Sequence, residues 1–365
     1  MKIGVVTFLD SLDNYGEVLQ YLATQKYLND RGHVVVLLKE PESFSIKSFL
    51  RKLKNSLKSL IKQTKNEKGE LFKKWHAVTL ANEKIHPRNF ESFRSQYFNT
   101  FKGPISSILN KGFDCYVTGS DQVWAYPSLW FMLAWTPDSA KRISIAPSIG
   151  HGNYSDNSIK LASSWLKRYN FITVRESNGV DVCNKCQISN VYQILDPTFL
   201  LRDTEYSVFY KDISLPPKPY IFVYLLGAEI SIDVQSIIDF AKRNSYEVKY
   251  VESQGRNESI ADKTYPEVGQ WLYLIRNSSY VITNSFHGMA LSIIHHKPFV
   301  VLPISGIMSN MNSRIESSTK KLHLEERIYS GDMNRLFSPI DWSVSDRIIM
   351  ENRMLLNKLM KSIEL

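Results

Sequence analysis

The chain has 365 residues, of which 43% are hydrophobic and 22% charged, a composition that excludes a disordered protein and suits two globular domains. No apolar run is long enough to cross a bilayer. The three cysteines exclude a disulfide framework and indicate a reducing, cytoplasmic setting. Cys183 and Cys186 form a lone C-x-x-C pair; because a structural zinc site would need two further ligands nearby, we expect no metal.

One segment carries most of the net charge of +9. Residues 46–74 hold ten Lys/Arg and two Glu, a local net of +8, with apolar residues at helical spacing. This pattern predicts a basic amphipathic helix inserted in the first domain. The helix either packs on its own domain or binds an anionic membrane surface or a lipid-diphosphate substrate, at the inner face of the cell membrane. We expect no nucleic acid, because the charges elsewhere are balanced.

The first 200 residues alternate strand and helix patterns. A buried strand at Ile3 to Phe8, a helix at Glu17 to Asp30 and a strand at Val34 to Leu38 form a βαβ unit, which requires a parallel sheet. Further strands are predicted at Cys115 to Thr118, Ile143 to Ala146, Phe171 to Val174 and Val191 to Leu195.

A second alternating series follows the proline-rich segment Leu215 to Pro219, which continues neither a helix nor a central strand. We therefore predict an α/β protein with two Rossmann-like domains and a cleft between them. The domains are 1–214 and 215–342, followed by a C-terminal helix at 343–365. In the second domain the predicted elements are strands at Tyr220 to Leu226, Glu247 to Val251, Tyr280 to Thr283 and Phe299 to Leu302, and a helix from Pro266 to about Asn277.

Ligands of such folds bind at the carboxyl ends of the parallel strands. In the first domain, the turn Asn14, Tyr15 and Gly16 either cradles a polar ligand with its N–H groups or is only a turn that needs glycine.

The loop after the strand at Cys115 to Thr118 offers a hydroxyl, a carboxylate, an amide and a flat aromatic ring that suits a sugar face. Its residues are Ser120, Asp121, Gln122 and Trp124. The alternative interpretation is a capped helix start with a core tryptophan.

Two further strand ends carry groups suited to an anion. Arg175 follows a strand and can hold a carboxylate or phosphate, or pair with Glu176. In the turn of Asn284, Ser285, Phe286, His287 and Gly288, Ser285 is a good N-cap, and the helix N-terminus suits an anion. His287 either transfers a proton or is structural. Arg314 adds another cation.

Taken in order, these motifs resemble the polysaccharide pyruvyl transferase family. The motifs that carry the resemblance are Asn14-Tyr-Gly with Leu19-Gln20, Gly119-Ser-Asp-Gln-Val-Trp, Val174-Arg-Glu, Asp196-Pro-Thr, Trp271, Val281-Ile-Thr-Asn-Ser-Phe-His-Gly, Lys297-Pro-Phe and Asn312-Ser-Arg. They cover residues 14–314. Asn284 stands where the family often has aspartate, so we assign it no acid/base role.

The resemblance implies a GT-B-like fold, phosphoenolpyruvate as donor, no cofactor and no metal. The product would be a pyruvate ketal on a sugar of a surface polysaccharide, capsular or exopolysaccharide, or of its polyprenyl-diphosphate-linked precursor. The predicted catalytic residues are His287 as an imidazolium acid, Asp121 as base or orienting group, and Arg175. The predicted donor side is Arg175, Asn284, Ser285, Phe286, His287, Gly288 and Arg314, and the acceptor side is Asn14, Tyr15, Gly16, Ser120, Asp121, Gln122 and Trp124.

Two alternatives stay open at this point. The same architecture serves a glycosyltransferase that uses a nucleotide sugar, although no E-x₇-E pattern follows the His287 turn. A non-catalytic protein bound to a membrane assembly through its basic helix is the other.

Overall fold

A computed structural model of the chain describes residues 1–41, 64–150, 154–227, 232–253, 256, 260, 263–305, 309 and 312–365. The predicted basic helix of residues 46–74 lies largely outside this part of the chain. Only its last residues are described, as the beginning of helix α2.

The first half of the chain forms a seven-stranded sheet in which every pair of neighbouring strands is parallel. The strand order is β3-β2-β1-β4-β5-β6-β7. Its elements in chain order are β1 (Lys2–Val6), α1 (Tyr15–Asn29), β2 (Val34–Lys39), α2 (Thr64–Ile85), α3 (Phe90–Tyr97), β3 (Thr100–Lys102), α4 (Ile105–Leu109), β4 (Cys115–Thr118), β5 (Lys141–Ser144), α5 (Asp156–Leu166), β6 (Phe171–Val174), α6 (Ser177–Lys185) and β7 (Val191–Gln193).

The second half forms a five-stranded parallel sheet of order β10-β9-β8-β11-β12. Its elements, with the helices that flank it, are α7 (Asp203–Tyr206), β8 (Tyr220–Tyr224), α8 (Val234–Arg243), β9 (Glu247–Val251), β10 (Lys263–Thr264), α9 (Val268–Asn277), β11 (Tyr280–Thr283), α10 (Phe286–Ile294), β12 (Phe299–Val301), α11 (Asn312–Leu322) and α12 (Ser343–Lys361). The α/β class with two Rossmann-like domains is therefore confirmed. The predicted domain boundaries stay predictions, with residues 215–219 lying between the two sheets.

The small errors in the predicted elements have local causes. Helix α1 begins at Tyr15, two residues earlier than predicted, because the Asn14 side chain accepts a bond from the Glu17 N–H and caps it. Helix α9 begins at Val268 instead of Pro266, because Glu267 is its N-cap. The short edge strand β3 was not predicted.

The two domains share one hydrophobic core. Tyr15 of α1 stacks on Trp271 of α9, with ring centroids 5.1 Å apart, and its hydroxyl donates to the Pro266 carbonyl at 2.5 Å. Helix α12 returns to the first domain, where Arg353 donates to the carbonyls of Phe199 and Leu201. At this interface the segment after β1 meets the segment after β11, where Gly16 lies against His287. In the part of the chain that the structure describes, no helix is both long and apolar enough to span a membrane.

Candidate active site

The turn between β11 and α10 is held by its own side chains. Ser285 caps α10 by accepting from the Gly288 N–H, and its own N–H donates to Thr283 Oγ1. The Asn284 amide accepts from the Leu226 N–H at 2.6 Å and donates to the Leu226 carbonyl at 2.8 Å, so it ties the turn to the end of β8. The predicted donor-binding roles of the Asn284 and Ser285 side chains are therefore not supported, because both are used inside the protein.

His287 is buried at this turn. Its Nε2 has no hydrogen-bond partner among the described residues and lies 3.8 Å from Asp196 Oδ1. Burial lowers the pKa of His287 to about 4, an effect that Asp196 opposes and Arg175 strengthens. Burial therefore favours the neutral imidazole in the protein without ligand, and the role of His287 as an imidazolium acid toward a bound donor stays a prediction.

Gly16 brings the first domain against this ring. A β-carbon added at residue 16 would lie 1.9 Å from His287 Nδ1. Gly16 therefore permits close approach of the two domains. This explains the glycine without the ligand-binding role that was predicted for the turn. The rest of that turn is also occupied, since the Asn14 N–H donates to Ser11 Oγ and Tyr15 is fully buried in the core.

Arg175 and Asp196 form a buried ion pair, with Nη2 and Oδ2 2.7 Å apart. Arg175 Nη2 also lies 2.5 Å from Ser120 Oγ, and its guanidinium stands over the Phe286 ring at 5.0 Å. The predicted alternative pairing of Arg175 with Glu176 is replaced by this pair. Ser120 is fully buried and contacts Asp196 and the Ala146 carbonyl, so an acceptor-binding role for it is not supported.

Asp196 was missed as a site residue. Burial alone would raise the pKa of this carboxyl, but Arg175, His287 and the N–H and hydroxyl of Thr198 together hold it below its ordinary value. The residue is fully buried, accepts from Arg175 of the first domain and faces His287 of the second. Its place in Asp196-Pro-Thr, just after the predicted strand Val191 to Leu195, was the available signal.

Arg314 completes a pair of buried cations. With the Gln122 amide oxygen turned toward it, Gln122 accepts from Arg314 Nη1 and Nη2, both at 3.2 Å. The pKa of Arg314 is lowered, mainly by burial and next by the positive charge of Arg175. The two guanidinium groups therefore lie near each other in a site removed from water. Glu176 beside them has a pKa raised by burial, and its Oε2 accepts from the Ile149 N–H at 3.4 Å.

Several polar atoms of this cluster lack partners among the described residues. They are Arg175 Nε and Nη1, Arg314 Nε, His287 Nε2 and Glu176 Oε1. Buried polar atoms in folded proteins are nearly always hydrogen-bonded, so a group of orphaned nitrogens indicates a place for an acceptor-rich ligand. Within the described ranges, no three His, Cys, Asp or Glu side chains are grouped to hold a metal ion.

The structure does not support the sugar-binding role predicted for Trp124 in the β4–β5 loop. The ring is fully buried, and its Nε1 donates to the Phe131 carbonyl at 3.2 Å, so no face remains for a sugar. Asp121 is partly exposed, has a φ of 60°, and its Oδ1 accepts from the Gln122 N–H at 2.7 Å. Of the predicted acceptor residues, Asn14, Asp121 and Gln122 are partly exposed, and Gln122 contacts Arg314.

Two Rossmann-like domains with an anion-suited site at the ends of their strands define a GT-B-like α/β protein. A family model described as "Polysaccharide pyruvyl transferase" matches residues 14–306. The chain therefore belongs to the polysaccharide pyruvyl transferase family and is a transferase. A search of curated protein sequences found no significant match.

Solved structures with similar folds are distant in sequence. UDP-GlcNAc 2-epimerase from Methanocaldococcus jannaschii is 9% identical, with a TM-score of 0.54 over 98% of this chain and 100% of that one. Arabidopsis thaliana UGT89C1, complexed with UDP-L-rhamnose, is 11% identical, with a TM-score of 0.48 over 99% of this chain and 93% of that one. At these identities the likeness concerns the fold alone.

Proposed function

We propose that the enzyme transfers the enolpyruvyl unit of phosphoenolpyruvate to two hydroxyls of one sugar, forming a cyclic pyruvate ketal. The observation that carries the proposal is the pair of buried arginines, Arg175 and Arg314, which have orphaned nitrogens and whose charges both act on the buried His287. Two neighbouring guanidinium groups out of water repel each other, and a ligand with two anionic groups relieves that repulsion. Phosphoenolpyruvate carries a carboxylate and a phosphate.

The reaction begins with the donor. The bound anion raises the pKa of His287, whose ring gains a proton and gives it to the methylene carbon, which becomes a methyl group. The first sugar hydroxyl then bonds to C2 and loses its proton, and the C2–O bond to phosphate breaks. The second hydroxyl bonds to C2 and loses its proton, which closes the ketal. Of the two hydroxyl protons, one replaces the proton given to carbon and the other leaves with hydrogen phosphate.

Each residue of the cluster has a separate task in this scheme. Arg175 and Arg314 hold the donor's charges, and Gln122 orients Arg314. His287 moves the proton at the donor carbon, where a well-placed acid contributes roughly 10²–10⁴-fold. Asp121 lies on the acceptor side and orients the sugar.

We place the reaction at the inner face of the cell membrane, on a lipid-linked precursor of a surface polysaccharide. The support is the local charge of +8 in residues 46–74, which suits an anionic surface or a diphosphate-linked acceptor.

The test is ligand stabilisation followed by turnover. A ligand that binds only the native state raises its apparent stability. We expect phosphoenolpyruvate to raise Tm, and UDP-glucose and GDP-mannose to leave it unchanged. Arg314→Gln should abolish the shift, whereas Arg276→Gln, a half-exposed arginine paired with Asp203, should keep it.

Turnover is measured as phosphate released from phosphoenolpyruvate in the presence of methyl glycosides of galactose, mannose and N-acetylglucosamine. The ketal is then sought by mass spectrometry. Stabilisation by a nucleotide sugar and not by phosphoenolpyruvate would overturn the proposal in favour of a glycosyltransferase.

A further inference from the structure

Glu17 is a buried carboxyl at the edge of the candidate site. It stands in the first turn of α1, directly after Gly16, and only 8% of the residue is exposed. Its Oε1 accepts from the Ser11 N–H at 2.8 Å. For Oε2, the described residues show no hydrogen-bond donor. One oxygen is thus anchored while the other can exchange a proton.

The surroundings of Glu17 bring the pKa of its carboxyl close to neutral pH. Burial raises the pKa of Glu17 to about 7. The Ser11 N–H and the charge of Arg94 oppose this rise, while the charges of Asp121 and Asp10 add to it. A carboxyl with a pKa close to the working pH is well suited to general base catalysis.

The neighbours of Glu17 connect it to the candidate site. Its neighbour Gly16 contacts the His287 ring, and the charge of Asp121 acts on both Glu17 and His287. One turn further along α1, the Gln20 amide accepts from the Ser120 N–H and donates to Thr7 Oγ1, which fixes α1 to the strand ends of the first domain. Glu17 therefore belongs to the first-domain half of the site, where the acceptor would lie.

We propose that Glu17 is a catalytic residue, the general base that removes protons from the acceptor sugar. The inference rests on the proposed function. It names the group that removes the proton of the first sugar hydroxyl, a step to which His287 is not assigned. When the first hydroxyl oxygen bonds to C2 of the donor, its O–H bond breaks and the proton passes to the Glu17 carboxylate. Glu17 then gives this proton to the departing phosphate. The imidazole, neutral after protonating the methylene carbon, takes the proton of the second hydroxyl, so both groups return to their starting states.

Glu17→Gln is the decisive variant, because its amide oxygen can still accept from the Ser11 N–H while the side chain cannot take a proton. We expect kcat for phosphate release to fall by roughly 10²–10⁴-fold with the best methyl glycoside. The Tm shift produced by phosphoenolpyruvate should remain. Glu364→Gln is the matched control: it makes the same change at a carboxylate that is 90% exposed and pairs with Lys141, and it should keep kcat within about twofold of the wild-type value.

The pH profile of kcat, compared between the wild type and Glu17→Gln, is a second measurement. In the donor complex Glu17 must be deprotonated and His287 protonated, so the wild-type kcat should rise and then fall with pH, and only the rising limb should be absent in Glu17→Gln. Undiminished kcat in Glu17→Gln, or a rising limb that persists in this variant, would overturn the role of Glu17 while leaving donor binding intact. A wild-type enzyme that is neither stabilised by phosphoenolpyruvate nor active would instead overturn the proposed function, and the role of Glu17 with it.

Discussion

Gly16 and His287 contact each other across the interface of the two domains. A β-carbon at residue 16 would stand 1.9 Å from His287 Nδ1 and 2.5 Å from its Cγ. Both atoms belong to a buried ring, so the overlap cannot be relieved by a flexible chain end. The first domain thus determines where the histidine of the second domain lies.

We therefore expect Gly16→Ala to displace His287. A displacement of about 1 Å at a reacting group can cost on the order of 10²-fold in rate, so kcat/KM should fall at least that far. Phosphate release from phosphoenolpyruvate measures the effect. Gly103→Ala is the control, since its added carbon meets the Phe101 ring of an edge strand at 3.2 Å and Ser107 Cβ at 3.7 Å. Equal activity of both variants would show that His287 does not depend on this contact.

Asp196→Asn should strongly destabilise the protein. Arg175 and Asp196 are both buried, and removing one partner of a buried ion pair costs roughly 3–5 kcal/mol, because the other charge is left uncompensated. Urea unfolding measures the change. Asp203→Asn, in which the lost carboxylate is about one-third exposed, should cost clearly less. A similar loss in both variants would contradict the view that Arg175 depends on Asp196 as its counter-ion.

Donor binding should be accompanied by proton uptake at His287. Its pKa is about 4 without ligand, so the ring is neutral at pH 6–7, and an anion bound beside it favours the charged form. Calorimetric titration with phosphoenolpyruvate in buffers of different ionisation enthalpy gives the number of protons bound. The phosphate of the donor also titrates near pH 6, so the informative quantity is the difference from His287→Gln. Identical uptake by the wild type and this variant would show that His287 stays neutral.

Acid should remove the stabilisation that Asp203 provides between the domains. The bond with His295, and then the charges of His295 and Arg276, lower the pKa of Asp203 to about 2, from 3.8. A carboxyl whose pKa is lower in the folded state stabilises the protein fully above pH 3.8, and that stabilisation is lost as the pH falls toward 2. The Tm difference between wild type and Asp203→Asn should therefore be largest above pH 5 and shrink between pH 4 and 2. A difference that does not change with pH would contradict this.

Much of the local structure follows from the sequence because its causes are local. The apolar run at Tyr280 to Thr283 predicts β11, and Ser285 predicts the start of α10. The two alternating series predict two parallel sheets, and the ordered motifs predict the family. Such features depend on hydrophobic periodicity and on caps that lie within a few residues.

The chemistry of the site depends on contacts between residues far apart in the chain, and only the tertiary structure decides it. From their position in a loop after a strand, Trp124 and Ser120 are predicted to contact the acceptor, yet packing buries both side chains. Arg175 is paired with Asp196 and not with its neighbour Glu176, because folding brings the ends of two adjacent strands together. The pKa of His287 is lowered and that of Glu17 is raised because folding removes both side chains from water. The sequence determines which residues stand at the ends of the strands, while packing and distant charges determine which of them are accessible and how they are protonated.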